Sequence, residues 1–113
     1  MEERFTEALE ELKTRIVSDY ARRLFRDGEE TPHRCEMFEE FVNELHMEEG
    51  RKYLKIITRN SVWGFIMMKD DTKFVAGDIL KAASWHAPAR NAARGNIFNE
   101  NYAIQWTGPM YLV

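Results

Sequence analysis

The sequence predicts an α+β fold, a helical hairpin at the N-terminus packed on a small antiparallel sheet of three to four strands. Two observations predict it. Apolar residues recur at helical spacing as far as Gly50, and beyond it they gather in short runs rich in branched and aromatic residues. Charge changes at the same place. Residues 1–50 hold seven Lys/Arg against fifteen Asp/Glu, residues 51–113 hold nine against four, and the halves at −8 and +5 give the chain its −3.

The first helix is expected over 3–27. Phe5, Ala8, Leu9, Leu12, Ile16, Tyr20 and Leu24 line one face. Glu2, Glu3 and Glu7 suit the positive end, Arg22, Arg23 and Arg26 the negative end, and Asp27-Gly28 supplies a stop. Thr31 then serves as N-cap and Pro32 as first residue of a second helix running to Gly50. Its apolar stripe is Met37, Phe38, Phe41, Val42 and Leu45, and its other face carries Glu36, Glu39, Glu40, Glu44, Glu48 and Glu49.

Strands are expected over 53–58 and 62–68, joined by a tight turn at Arg59-Asn60. A turn at 69–72 leads to a third strand, 74–76 with 79–80, broken at Gly77-Asp78. The last strand is expected over 102–107. The apolar tail 110–113 is expected to pack on the sheet or on a partner chain. Trp63 and Trp106 fall within strands, where core packing is the first expectation.

A chain of 113 residues reads as one domain over 1–113, with 1–50 the acidic helical hairpin and 51–113 the basic sheet-containing part. A hydrophobic fraction of 44% with 12% aromatics argues against disorder. No apolar run approaches the roughly 20 residues that cross a bilayer. The acidic, amphipathic start is unlike a secretory signal, and the single Cys35 cannot form an internal disulfide, which together point to a reducing, cytoplasmic setting. The charge split has two readings. Either the basic half faces an anion, or the halves complement each other between copies and make a homo-oligomer.

Chemistry concentrates in 81–98, which holds Lys81, Ser84, Trp85, His86, Arg90, Asn91, Arg94 and Asn96 with no Asp or Glu. Planar donors without carboxylates suit a planar anion such as a nucleotide. Pro88 and Gly95 bracket a predicted short helix over 88–95, on which Arg90 and Arg94 share a face, and arginine's fork matches phosphate oxygens. The alternative for this pair is a solvated or salt-bridged role. Trp85 is either a base-stacking platform or, as tryptophans in small domains usually are, core. His86 is either a contact or a structural histidine, and Asn91 and Asn96 either read base and ribose edges or serve turns.

Nothing in the residues supports catalysis. Cys35 has no matched base, and His33, His46 and His86 lack metal-ligand spacing. Neither a Walker loop nor GxGxxG occurs. A general base would have to come from Asp70, Asp71, Asp78 or Glu100. Non-catalytic binding, with no metal or cofactor, is the expectation.

The runs Ser61-Val62-Trp63-Gly64-Phe65, Gly77-Asp78-Ile79-Leu80-Lys81-Ala82-Ala83-Ser84-Trp85-His86-Ala87-Pro88-Ala89-Arg90 and Arg94-Gly95-Asn96 resemble small proteins of tailed bacteriophages over residues 53–113. In size, helical N-terminal part, small sheet and basic segment the chain is also similar to the first Thoeris anti-defence family. That resemblance implies an oligomeric sponge in the host cytoplasm, which sequesters a cyclic ADP-ribose isomer made by host TIR enzymes, or a cyclic oligonucleotide, without degrading it. It further implies a pocket lined by Trp85, Arg90, Asn91 and Arg94, and a second anionic site at Arg22, Arg23 and Arg26. The alternative function is a phage inhibitor of a host protein acting through the acidic helical face, by protein contact or nucleic-acid mimicry. A net acidic chain makes long nucleic acid a poor partner.

Overall fold

The computed structural model describes residues 2–110. Helix α1, Glu3–Leu24, buries Phe5, Leu9, Leu12, Ile16 and Tyr20 along one stripe. It stops at Leu24 rather than at 27, and Gly28 turns the chain with φ +79°. Helix α2 spans Pro32–Glu44, with the Thr31 hydroxyl accepting a hydrogen bond from Arg34 N at 3.2 Å, as the capping signal predicts.

The expected continuation of α2 to Gly50 does not occur. Leu45 turns extended, and His46–Glu49 forms strand β1. Pairing decides this: β1 lies antiparallel to β2, Tyr53–Thr58, with Glu48 opposite Lys55 and Met47 opposite Ile56. The open edge of β2 outweighs the local helix preference of the glutamates.

Strand β3, Ser61–Met67, returns from β2 through the expected Arg59-Asn60 turn, where Arg59 takes φ +53°. Ile56 faces Gly64 while Ile57 faces Val62, so Trp63 is one residue extra and makes a bulge. Its indole is buried and donates to Gln105 O at 2.8 Å. Strand β4 is only Ile79–Leu80, and the antiparallel sheet has the order β1-β2-β3-β4.

The expected strand 74–76 is a loop instead. Aspartate side chains capture the backbone N–H groups a strand would use. Asp71 Oδ1 accepts from Lys73 N and Phe74 N, Asp70 Oδ1 from Ala76 N, and Asp78 Oδ2 from Val75 N. Likewise 102–107 is not one strand. Strand β5, Ile104–Gln105, folds back through Trp106-Thr107 onto β6, Gly108–Pro109. Asp19, only 7% exposed on α1, holds this turn by accepting from Trp106 N at 2.9 Å.

The main core lies between the helices and one sheet face, where Tyr20 stacks on Phe41 at 4.1 Å and meets Trp106 edge-on. A smaller cluster of Phe65, Met67, Phe74 and Leu80 fills the other face. No helix among the described residues is long and apolar enough to cross a membrane. Met110 is exposed, and the rest of the predicted tail lies outside the described residues.

Candidate ligand-binding site

The predicted helix over 88–95 is absent, because its backbone groups are spent elsewhere. Ala89 N donates to Lys81 O, Ala82 bridges Pro88, Arg94 N donates to Ile79 O, and Gly95 O accepts from Ile79 N. The segment is sewn along β4 at both ends. Gly95 is required there: a Cβ at this residue would stand 2.7 Å from that of Tyr102.

Residues 81–89 instead form a narrow hairpin-like projection. Ala83 N and Ser84 N both donate to Ala87 O, and the Ser84 hydroxyl accepts from His86 N and Ala87 N. This internal bonding fixes a tip on which Trp85 is 44% exposed, so the core role expected by default does not hold for it. The sheet register explains what lies beneath. Glu48, Lys55, Phe65 and Leu80 form one row across the face away from the helices, and Lys55 Nζ sits 4.8 Å from the Trp85 ring centroid. That distance is within cation–π range. Beside this pair lies a cleft of about 290 Å³, lined by His86, Lys52, Tyr53, Lys55, Phe65 and Glu48 among others.

Arg90 points to the same sheet face but is already engaged. Its guanidinium donates to Asp71 Oδ2 and to the Tyr53 hydroxyl, each at 2.6 Å, and lies 4.8 Å from the Phe74 ring centroid. Lys73 Nζ donates to Arg90 O, and Lys52 Nζ approaches Asp71 at 3.5 Å. The Phe74 and Lys73 N–H groups, followed by Arg90, hold the Asp71 carboxyl well below the usual carboxylate range. Arg90 therefore fastens the segment over Phe74 and the sheet.

Arg90 and Arg94 do not share a face. Arg94 donates to Met110 O at 3.4 Å, and its Nε is buried. Asn96 is a bracket: its amide donates to Ala76 O and Asp78 Oδ1 and accepts from Phe98 N. Asn91 is exposed and Lys81 is half-buried. Of the residues singled out in the segment, the structure places Trp85 over Lys55 and His86 at the wall of the adjoining cleft, with Arg94 and Asn96 beyond β4. At the end of α1, Arg22 pairs with Asp19 at 3.2 Å, while Arg23 and Arg26 are exposed.

Lys52, Tyr53 and Lys55 were not legible as site residues. Only the alternation of β2 hinted that 53 and 55 share a face, and what covers that face is set by contacts distant in sequence. Among the described residues, no three His, Cys, Asp or Glu gather as a metal site. No curated protein and no solved structure matches the chain. A family model described as a family of unknown function, DUF7717, matches residues 2–112, and the chain belongs to that family.

Proposed function

We propose that the protein binds a nucleotide-type signal molecule non-covalently at the Trp85 cleft and sequesters it, as a phage counter-defence protein in the host cytoplasm. The observation that carries this reading is an exposed indole on a backbone-locked tip, seated over Lys55 and beside a cleft with His86 and Lys52 at its wall. The indole supplies a stacking surface, and the lysines supply charge for a phosphate. Binding without chemistry is supported by Asp70, Asp71 and Asp78, which are occupied in holding backbone N–H groups, and by Glu100, which lines a different cleft.

At about 290 Å³ the cleft stands at the small end of ligand pockets, which run from about 300 to 1,000 Å³. A second copy completing the site accords with the expected homo-oligomer. The test is incubation of purified protein with a cyclic ADP-ribose isomer or a cyclic oligonucleotide, followed by a downstream effector assay. Protection of the effector from activation, with intact ligand released on denaturation, is expected. Unprotected effector with every ligand tried overturns the reading.

A second reading has its own observation. Glu36, Glu39, Glu40 and Glu44 on α2 are all exposed, while Glu48 and Glu49, expected on the same helical face, lie on β1 instead. Such a face would meet a basic surface on a host protein. A salt-sensitive pull-down of a nucleic-acid-binding protein, lost on charge reversal at Glu36, Glu39 and Glu40, would favour it over sequestration.

A further inference from the structure

The two edges of the four-stranded sheet are finished differently. At β4 the following segment closes the edge: Ile79 N donates to Gly95 O, Ile79 O accepts from Arg94 N, and Ala89 N donates to Lys81 O. At β1 nothing among the described residues pairs with the outer side of the strand. Gly50 N donates to Tyr53 O, so in the register of β1 on β2 the residues bonded across the pair are Gly50, Glu48 and His46. The backbone N–H and C=O groups of Met47 and Glu49 therefore point away from β2. Open edge groups of this kind are a template for another strand.

The side chains of β1 decide which strand fits. Met47 is half-buried against the main core on the helix side, while His46 and Glu48 are exposed on the opposite face. A second copy laid antiparallel on this edge meets it about a two-fold axis, so each register sets one residue against itself. Centred on Glu48 or on Glu49, the axis sets glutamate against glutamate, which opposes pairing. Centred on Met47, it sets two thioether side chains together and continues the apolar side. The same register places His46 opposite the partner's Glu48, and does so twice. These are non-hydrogen-bonded pairs, in which side chains stand closest.

His46 is already arranged for a carboxylate. Its Nδ1 donates to Glu44 O at 2.8 Å, and its Nε2 lies 4.0 Å from Glu48 of its own strand. Lys55 stands opposite Glu48 on β2. In the Met47 register each Glu48 is flanked by Lys55 on one side and by the partner's His46 on the other.

We propose that β1 is the docking edge for a second copy of this chain, paired antiparallel about a two-fold axis at Met47, so that two four-stranded sheets become one. Glu48 also lines the cleft beside Trp85, which brings the partner's His46 to the wall of that cleft. This last consequence rests on the reading of the Trp85 cleft as a binding site, and the pairing itself does not.

The test is sedimentation equilibrium of the full chain across the micromolar range, without ligand. A monomer–dimer equilibrium is expected. His46→Lys, which makes the positive charge permanent, should tighten it, and His46→Glu, which creates two glutamate pairs, should weaken it about tenfold or more. Residue 46 is exposed, so both variants keep the core intact. Register is read by oxidation in a Cys35→Ser background. Met47→Cys should cross-link to itself, because hydrogen-bonded pairs stand about 5.5 Å apart at Cα, within disulfide reach, whereas Glu49→Cys should not. A monomer at every concentration overturns the proposal. So does a dimer that responds alike to both His46 variants, or a cross-link through Glu49→Cys in place of Met47→Cys. No ligand enters these measurements, so failure of the Trp85 reading leaves them interpretable.

Discussion

Replacing Trp85 with alanine separates a stacking surface from a packing residue. The indole is 44% exposed and sits on a tip whose shape is set by backbone and Ser84 bonds, not by the ring. Its visible structural partner is Lys55, at 4.8 Å from the ring centroid. An exposed cation–π contact contributes about 0.5–1 kcal/mol, so folding should lose roughly that amount. For a domain of this size that is a fall in Tm of about 2–8 °C. Ligand binding should lose more. Stacking of a base on an aromatic side chain is worth about 1–3 kcal/mol by alanine substitution, or about 5- to 150-fold in Kd. Calorimetric melting gives the first number. Titration with a panel of AMP, ADP-ribose and cyclic ADP-ribose isomers, followed by tryptophan fluorescence and calorimetry, gives the second. Trp85→Phe should recover most of the affinity. A melting loss well above 10 °C would mean that Trp85 is a packing residue after all. An affinity for the tightest ligand within twofold of the parent would refute stacking.

Three further substitutions test the frame that holds the site. Asp19→Ala leaves Trp106 N without its acceptor and should cost about 1.5–3 kcal/mol by denaturant unfolding, while Asp19→Asn, which keeps an acceptor, should cost less. Ser84→Ala frees the His86 and Ala87 N–H groups, and should weaken ligand binding several-fold while costing at most about 1 kcal/mol of stability, read from paired titration and melting experiments. The folded value of Asp71 is depressed, so its contribution to stability is complete above the unfolded value of about 3.9 and declines as pH falls below it. Asp71→Asn should therefore be less stable than the parent at pH 7 by urea unfolding, with the difference shrinking between about pH 5 and pH 2. A pH-independent difference would rule out the ionised carboxylate as its source.

How far the sequence foretold this molecule depended on how far apart the deciding contacts lie. Helix α1, the Thr31-Pro32 start of α2, and the β2–β3 hairpin were legible because their signals are local: an apolar stripe, a capping hydroxyl, a two-residue turn. His46–Glu49 reads as helix for the same reason, since glutamates favour helices until an unpaired β2 edge offers hydrogen bonds from elsewhere. Residues 88–95 carry proline and glycine at helix-boundary spacing, yet their backbone bonds go to Ile79 and Lys81, which no local pattern announces. Trp85 and His86 were legible as unusual. Their neighbours Lys52, Tyr53 and Lys55 were not, because the strand register and the fold of the covering segment bring them there. Arg90 shows the limit from the other side: its donors are conspicuous in sequence, but Asp71 and Tyr53 take them up inside the chain.

The central claim is that a nucleotide is held and not changed. Mass spectrometry of the small molecules released by denaturing the protein, after incubation with a cyclic ADP-ribose isomer and removal of free ligand, tests it most directly. Recovery of the intact ligand from the parent protein, and its loss from Trp85→Ala, is the predicted result. Recovery of a hydrolysed product, or equal recovery from both proteins, would contradict it.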